Sequence, residues 1–253
     1  MRDEQRTAHF ADRLAAAIAR AGGPTCVGID PNFDRLPEPL RRRALASGRL
    51  GDQLDAVFTF CAEVLERVRD YAAIVKFQSA YFEKFRGEGV EAYYSLIHEA
   101  REMGLLTIGD VKRGDIGSTA DAYAAAHLTE PPGESPADAE QIAVEGDVRL
   151  GGDPQLGRRD QSGDDNDARI FADTDGVAPF IETANELDKG IFVLVRTSNP
   201  SAEQLQDFAD SDGRKLYEHL ADLVEQWAGP ADRLGAGGLS MVGAVVGATW
   251  PEQ

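Results

Sequence analysis

Four charged residues stand at the ends of apolar runs: Asp30 in VGID, Lys76 in AIVKFQ, and Asp110 and Lys112 in LLTIGDVK. An apolar strand buried on both faces does not end in charge without a partner. One such ending is satisfied by an ordinary ion pair. Three strands ending alike suggest that carboxylates and ammoniums converge in one mouth. Strand alternation predicts Asp110 and Lys112 on one face, about 6.5–7 Å apart along the chain. Asp115 lies further on, in a turn marked by Gly114 and Gly117, out of that register. A lysine held between carboxylates keeps its proton, so it is an acid and not an imine-forming nucleophile. Ser198, in RTSNP, has two readings: a hydrogen-bonding site residue, or a helix N-cap ahead of Pro200.

The elements that must carry these residues alternate. Strand candidates near 25–30, 73–79, 105–111, 191–197 and 241–248 number five. Between them, Leu54, Val57, Phe58, Cys61, Val64, Leu65 and Val68 recur at helical spacing, as do Val90, Tyr94, Ile97 and Ala100. STADAYAAAHL (118–128) predicts a helix capped by Ser118, and Leu216, Leu220, Leu223 and Trp227 mark another. Phe10, Leu14 and Ile18 give an amphipathic first helix. This pattern predicts one α/β domain over 1–253, a parallel sheet with crossover helices and chemistry at the carboxyl ends of its strands.

Length and charge agree. The 253 residues suit a single α/β barrel. The net charge of −18 and pI near 4.6 argue against a nucleic-acid polymer or an anionic membrane as partner. No run approaches the roughly 20 apolar residues of a membrane span, and the N-terminus lacks a signal peptide's apolar region. Cys26 and Cys61 are expected as two buried thiols in a reducing cytoplasm. Residues 129–169 hold eleven acidic residues against four basic ones, supplying −7 of the charge. Those residues 129–169 also hold ten Gly or Pro and no aromatic residue, and the stretch 129–175 reads as an acidic irregular or disordered excursion. Asp160, Asp164, Asp165 and Asp167 cluster there, but the EF-hand spacing is absent, so no metal is expected.

The D-x-K-x-x-D-I motif of Asp110, Lys112, Asp115 and Ile116 resembles that of the orotidine 5′-phosphate decarboxylase family. GIDP, VKFQSAYFE, IGDVKRGDIGSTADAYA, FVLVRTSNPSA and VGAVVGAT, in this order, look like its longer-chain bacterial subgroup, over about residues 5–128 and 176–249. The resemblance implies a (β/α)8 TIM barrel working as a homodimer without metal or organic cofactor on a nucleotide substrate. It implies that Lys112 protonates C6 as carbon dioxide leaves and that Asp110 faces the substrate carboxylate. Lys76 would hold the charged network, and Asp30 would contact the ribose. Asp115 and Ile116 would reach the neighbouring subunit's site, with Thr119 near the ribose there. Ser198 would hydrogen-bond the pyrimidine ring.

The sequence departs from the family in two places. The family's phosphate-gripping P-G-x-G-A-Q-G loop follows a later strand, and the sequence stops at VVGATWPEQ about one strand and loop short of it, so the expected barrel is incomplete at its C-terminus. Where the family has an apolar fourth strand ending in Asn-Pro, this chain has NDARIFADTDG (166–176), so that strand is expected to be irregular. Besides the decarboxylase, two readings stay open: a non-catalytic or very weak remnant without a phosphate grip, and a Schiff-base aldolase using Lys76 or Lys112.

Overall fold

The computed structural model describes residues 8–129, 141–145 and 173–249. Six strands form one sheet: β1 (Cys26–Ile29), β2 (Ile74–Gln78), β3 (Leu106–Asp110), β4 (Gln141–Glu145), β5 (Ile191–Arg196) and β6 (Val242–Val246). All neighbouring pairs are parallel, and spatial order follows sequence order from β1 to β6. A doubly wound sheet reverses its order at a switch point. An unreversed order, with a helix after each strand, is the arc of a (β/α)8 barrel.

The crossover helices form where apolar residues recur at helical spacing. Helices α1 (Phe10–Ala21), α2 (Glu38–Ser47) and α3 (Leu50–Val68) flank β1. On α3, Leu54, Val57, Cys61 and Leu65 are buried in one stripe. Helices α4 (Ala80–Glu83) and α5 (Arg86–Glu102) follow β2, and α5 buries Tyr93, Leu96, Ile97 and Ala100. Then come α6 (Ser118–Leu128), α7 (Thr174–Glu186), α8 (Glu203–Gln206) and α9 (Leu216–Ala228). Val75 and Phe77 of β2 and Val193 of β5 are fully buried. Each such side chain contributes about 1.5–3 kcal/mol by leaving water.

Helix α1 lies across the entrance ends of the strands and makes the barrel floor. The Phe10 ring meets Phe192 edge-on at 6.2 Å, over Gly190, where a Cβ would stand 2.2 Å from that ring. The Asp12 carboxylate accepts the amides of Ala236 (2.8 Å) and Gly237 (3.0 Å), ahead of β6. Arg20 donates to the Gly104 carbonyl at 3.1 Å, ahead of β3. With α1 across that end, the opposite, carboxyl ends of the strands are left for chemistry.

Four expectations need correction. The described residues contain six strands, not five, because β4 comes from QIAVE within the acidic segment. Its register, Ile142 beside Ile108 and Val144 beside Phe192, puts it between β3 and β5. Thus 129–175 is not irregular throughout; at its end Asp173 caps α7, its carboxylate accepting the Gly176 amide at 2.9 Å. Residues 166–172 and the cluster Asp160, Asp164, Asp165 and Asp167 lie outside the described residues. Ser118 is not a cap but the first residue of α6. The cap is Gly117, whose φ of 57° is costly for any residue with a Cβ. Of the two cysteines, both free, only Cys61 is buried; Cys26 opens β1 and is exposed.

Candidate active site

The sheet register explains how the charges meet. Gly28 pairs with Lys76, and Lys76 with Ile108. Asp30 and Asp110 each lie two residues beyond those partners. With a period of two, all three side chains share one face, Lys76 one step below a carboxylate on either side. Lys76 Nζ is 3.0 Å from Asp110 Oδ2 and 3.4 Å from Asp30 Oδ1. Lys112 Nζ pairs with the other oxygen, Asp110 Oδ1. Gln78, directly opposite Asp110 in register, donates its amide to Oδ2 at 2.9 Å.

Asp110 is the hub. Its side chain is only 8% exposed, and three donors satisfy it. Burial pulls the Lys76 ammonium down, but Asp110 and then Asp30 outweigh it and hold the group above the usual lysine range. Two carboxylates and two ammoniums thus form a neutral, fixed array. Its dipoles are set before any substrate arrives.

Lys112 reaches this array by a different route from the one strand alternation predicts. β3 ends at Asp110, and Lys112 sits at φ 45°, in the left-handed region. A turn, not an extended strand, folds its side chain back onto Asp110. Arg113 braces that turn: it donates to the Val111 carbonyl at 2.7 Å, pairs with Glu83, and lies 5.8 Å from the Tyr123 ring centre. Behind it is a cavity of about 310 Å³ lined by Ser79, Phe82, Tyr93, Tyr94, Arg113 and His127. Burial, then the Arg113 charge, pushes the His127 pKa down to about 4.

The remaining predicted residues stand apart. Asp115 accepts the amide of its neighbour Ile116 at 2.8 Å and is not bonded to the lysines. Ile116 is 54% exposed, and Thr119 is exposed on the first turn of α6. Ser198 follows β5 on the same rim as the charges, exposed, and its hydroxyl has no hydrogen bond among the described residues. It does not cap a helix: α8 begins after Ala202, with no side-chain cap. The N-cap reading of Ser198 is therefore set aside.

Two participants were missed by sequence reasoning. Gln78 had a signal, since it lies two residues after Lys76 and shares its face. Gln206, whose Oε1 accepts the Thr197 amide at 2.9 Å and whose Nε2 donates to Thr197 Oγ1 at 2.7 Å beside Ser198, had none, because EQLQ reads as an exposed helical turn. No group of three or more His, Cys, Asp or Glu among the described residues is placed to hold a metal.

Residues 26–139 match the model of the "Orotidine 5'-phosphate decarboxylase / HUMPS family". An orotidine 5′-phosphate decarboxylase from Rhodopirellula baltica is 40% identical over 246 residues, covering 96% of this chain and 72% of the relative. A solved structure from Streptomyces avermitilis superposes with a TM-score of 0.66 at 31% identity, covering 97% of this chain and 71% of that one. The Leishmania donovani OMP decarboxylase structure gives a TM-score of 0.60 at 28% identity, with 96% and 72% covered.

Proposed function

The chain belongs to the orotidine 5′-phosphate decarboxylase family, and we infer that its charged rim converts orotidine 5′-phosphate to uridine 5′-phosphate in pyrimidine biosynthesis. The observation that carries the assignment of roles is the convergence of Lys112 and Lys76 on the buried Asp110 carboxylate.

The chemistry follows from the charges. The C6–carboxylate bond breaks, carbon dioxide leaves, and the electron pair stays on C6 with little delocalisation. A cation fixed beside that carbon stabilises it without reorganising. Lys112 is that cation, and its proton then closes the C6 valence. Asp110 faces the substrate carboxylate and presents like charge to it, a repulsion relieved as carbon dioxide departs. Lys76 holds Asp110 and Asp30 in place, and Asp30 meets the ribose. Ser198, its hydroxyl unengaged on the same rim, bonds the pyrimidine. An imine-forming lysine needs a neutral amine; Lys76, held protonated between two carboxylates, does not suit an aldolase.

The reading extends to a homodimer. Among the described residues Asp115, Ile116 and Thr119 make no hydrogen bond or ion pair with this chain's own charged array, and Ile116 is a large apolar side chain left in solvent. A second copy that takes up this turn accounts for both facts, with Asp115 and Ile116 entering its site and Thr119 near its ribose. We read the chain as one barrel domain acting in the cytoplasm without cofactor or metal. No helix among the described residues is long and apolar enough to cross a membrane.

The test is turnover of orotidine 5′-phosphate by the chain and by Lys112→Ala, with circular dichroism as a check on folding. Loss of turnover in a folded variant is expected. Undiminished turnover in Lys112→Ala sinks the assignment of Lys112. Calorimetry with uridine 5′-phosphate separates an enzyme from a remnant: absence of binding at millimolar ligand, with no turnover, is the remnant's signature.

A further inference from the structure

The rim segment that carries Ser198 is held from below by a side chain with no assigned role. Gln206, the last residue of α8, is 6% exposed and turns its amide onto the residue before Ser198. Its Oε1 accepts the Thr197 backbone amide at 2.9 Å, and its Nε2 donates to Thr197 Oγ1 at 2.7 Å. Thr197 Oγ1 in turn donates to Asn199 Oδ1 at 2.6 Å, and Asn199 Nδ2 donates to Ser201 Oγ at 2.9 Å. The two residues flanking Ser198 are thus tied, while its own hydroxyl stays unengaged.

The anchor beneath Gln206 is itself fixed. The next residue, Asp207, pairs with the buried Arg196 guanidinium at 2.7 Å, which lies 4.9 Å from the Tyr217 ring centre and reaches Gln206 Oε1 at 3.4 Å. On the far side, Gly247 of the loop after β6 donates its amide to the Arg196 carbonyl at 2.7 Å. A Cβ on Gly247 would stand 2.9 Å from the Ser198 amide nitrogen. Ser198 therefore sits on a backbone clamped from two sides. Such preorganisation matters because a small misplacement of a contact is costly in rate.

The geometry points to Gln206 as a positioning residue that acts through Thr197 to present Ser198 to the substrate ring. The inference rests on the reading that Ser198 bonds the pyrimidine. Gln206 touches no substrate. Its amide supplies one acceptor and one donor to a two-point site that neither an aliphatic nor a shorter side chain reproduces.

The experiment is a double-mutant cycle on the full chain, measuring kcat and KM for orotidine 5′-phosphate in Gln206→Leu, Ser198→Ala and the pair. Each single change is expected to lower kcat/KM by about tenfold, the scale of one net hydrogen bond. The pair is expected to be no worse than Ser198→Ala within about threefold, because both act on one contact. Gln206→Glu, which keeps the acceptor for the Thr197 amide but loses the donor to Thr197 Oγ1, is expected to recover only part of the loss. If Gln206→Leu does not fold, Thr197→Val, nearly isosteric and lacking the hydroxyl, carries the same cycle. A wild-type kcat/KM in Gln206→Leu or Thr197→Val, or losses that multiply in the pair, overturns the proposal while leaving the Ser198 reading intact. No effect of Ser198→Ala overturns that reading and the proposal with it.

Discussion

Lys76 and Asp110 lie on adjacent parallel strands one diagonal step apart, and their ammonium and carboxylate meet at 3.0 Å. The same step on the other flank brings Asp30 to 3.4 Å, so one lysine bridges three strands. The bridge sets both the pH behaviour of the array and its response to substitution.

Replacing Asp110 by Asn removes the larger of the two attractions that hold up the Lys76 pKa and leaves the burial that lowers it. In the native chain the folded pKa lies above the unfolded one, so this pair's stabilisation is complete below the unfolded value. It is lost as pH rises through the folded value. Asp110→Asn is expected to lose this alkaline sensitivity and to cost about 1–3 kcal/mol at neutral pH, where a half-buried charge is left short of a partner. Denaturant unfolding at steps from pH 8 to 11 measures both. An unchanged slope with pH shows that Lys76 does not depend on Asp110.

Lys112 stores backbone strain where the chemistry needs it. At φ 45° a residue with a Cβ is disfavoured by about 1 kcal/mol, and glycine is not. Lys112→Gly and Lys112→Ala both remove the ammonium and its pairing with Asp110, so the difference between them isolates the backbone. Lys112→Gly is expected to be the more stable by about 1 kcal/mol, with turnover lost in both. Equal stabilities, or a more stable alanine variant, contradict the left-handed turn.

Much of this arrangement was legible, and the failures are instructive. β1, β2, β3, β5 and β6 were found because their apolar runs must be buried on both faces, and the charges that end them stand out. QIAVE was passed over as β4 because five residues carry little signal inside an acidic, Gly- and Pro-rich stretch. α2 escaped because EPLRRRALAS buries only Ala44 and so has no apolar stripe. α7 escaped because Pro179, which falls inside it, argues for a break. The meeting of Lys112 with Asp110 was anticipated for the wrong reason, since alternation stops at the strand's end and a positive φ does the rest. Gln206 shows the limit more plainly: its partners follow from a loop path, and no period in the sequence encodes that path.

His127 ties stability to acid. Burial and Arg113 push its pKa to about 4, below the ordinary value of 6.5. The unfolded chain therefore takes up the proton first. Stability is complete above about pH 6.5, falls as pH drops toward about 4, and then levels, a loss of at most about 3 kcal/mol. His127→Gln, which cannot titrate, is expected to flatten this part of the stability curve. Chemical denaturation at pH 7.5, 6, 5 and 4.5 reads it. Parallel curves for variant and parent show that His127 is not the group responsible.

Gly247 tests the clamp on Ser198 from the side opposite Gln206. An added Cβ meets the Ser198 amide nitrogen at 2.9 Å and its Cβ at 3.0 Å. Backbone cannot yield as the tip of a long side chain can, so the rim must shift. Overpacking of this kind costs about 1–3 kcal/mol. Because the shift falls on the residue read as the pyrimidine contact, Gly247→Ala is expected to lower kcat/KM by about tenfold as well as Tm. A control separates the two effects: at Gly243 a Cβ would meet the Phe192 ring at 2.7 Å, under the sheet and away from the rim. Gly243→Ala is expected to lower Tm with kcat/KM near the parent's. If both variants lose activity in proportion to stability, the loss reports general loosening of β6 against β5, and the clamp has no part in placing Ser198.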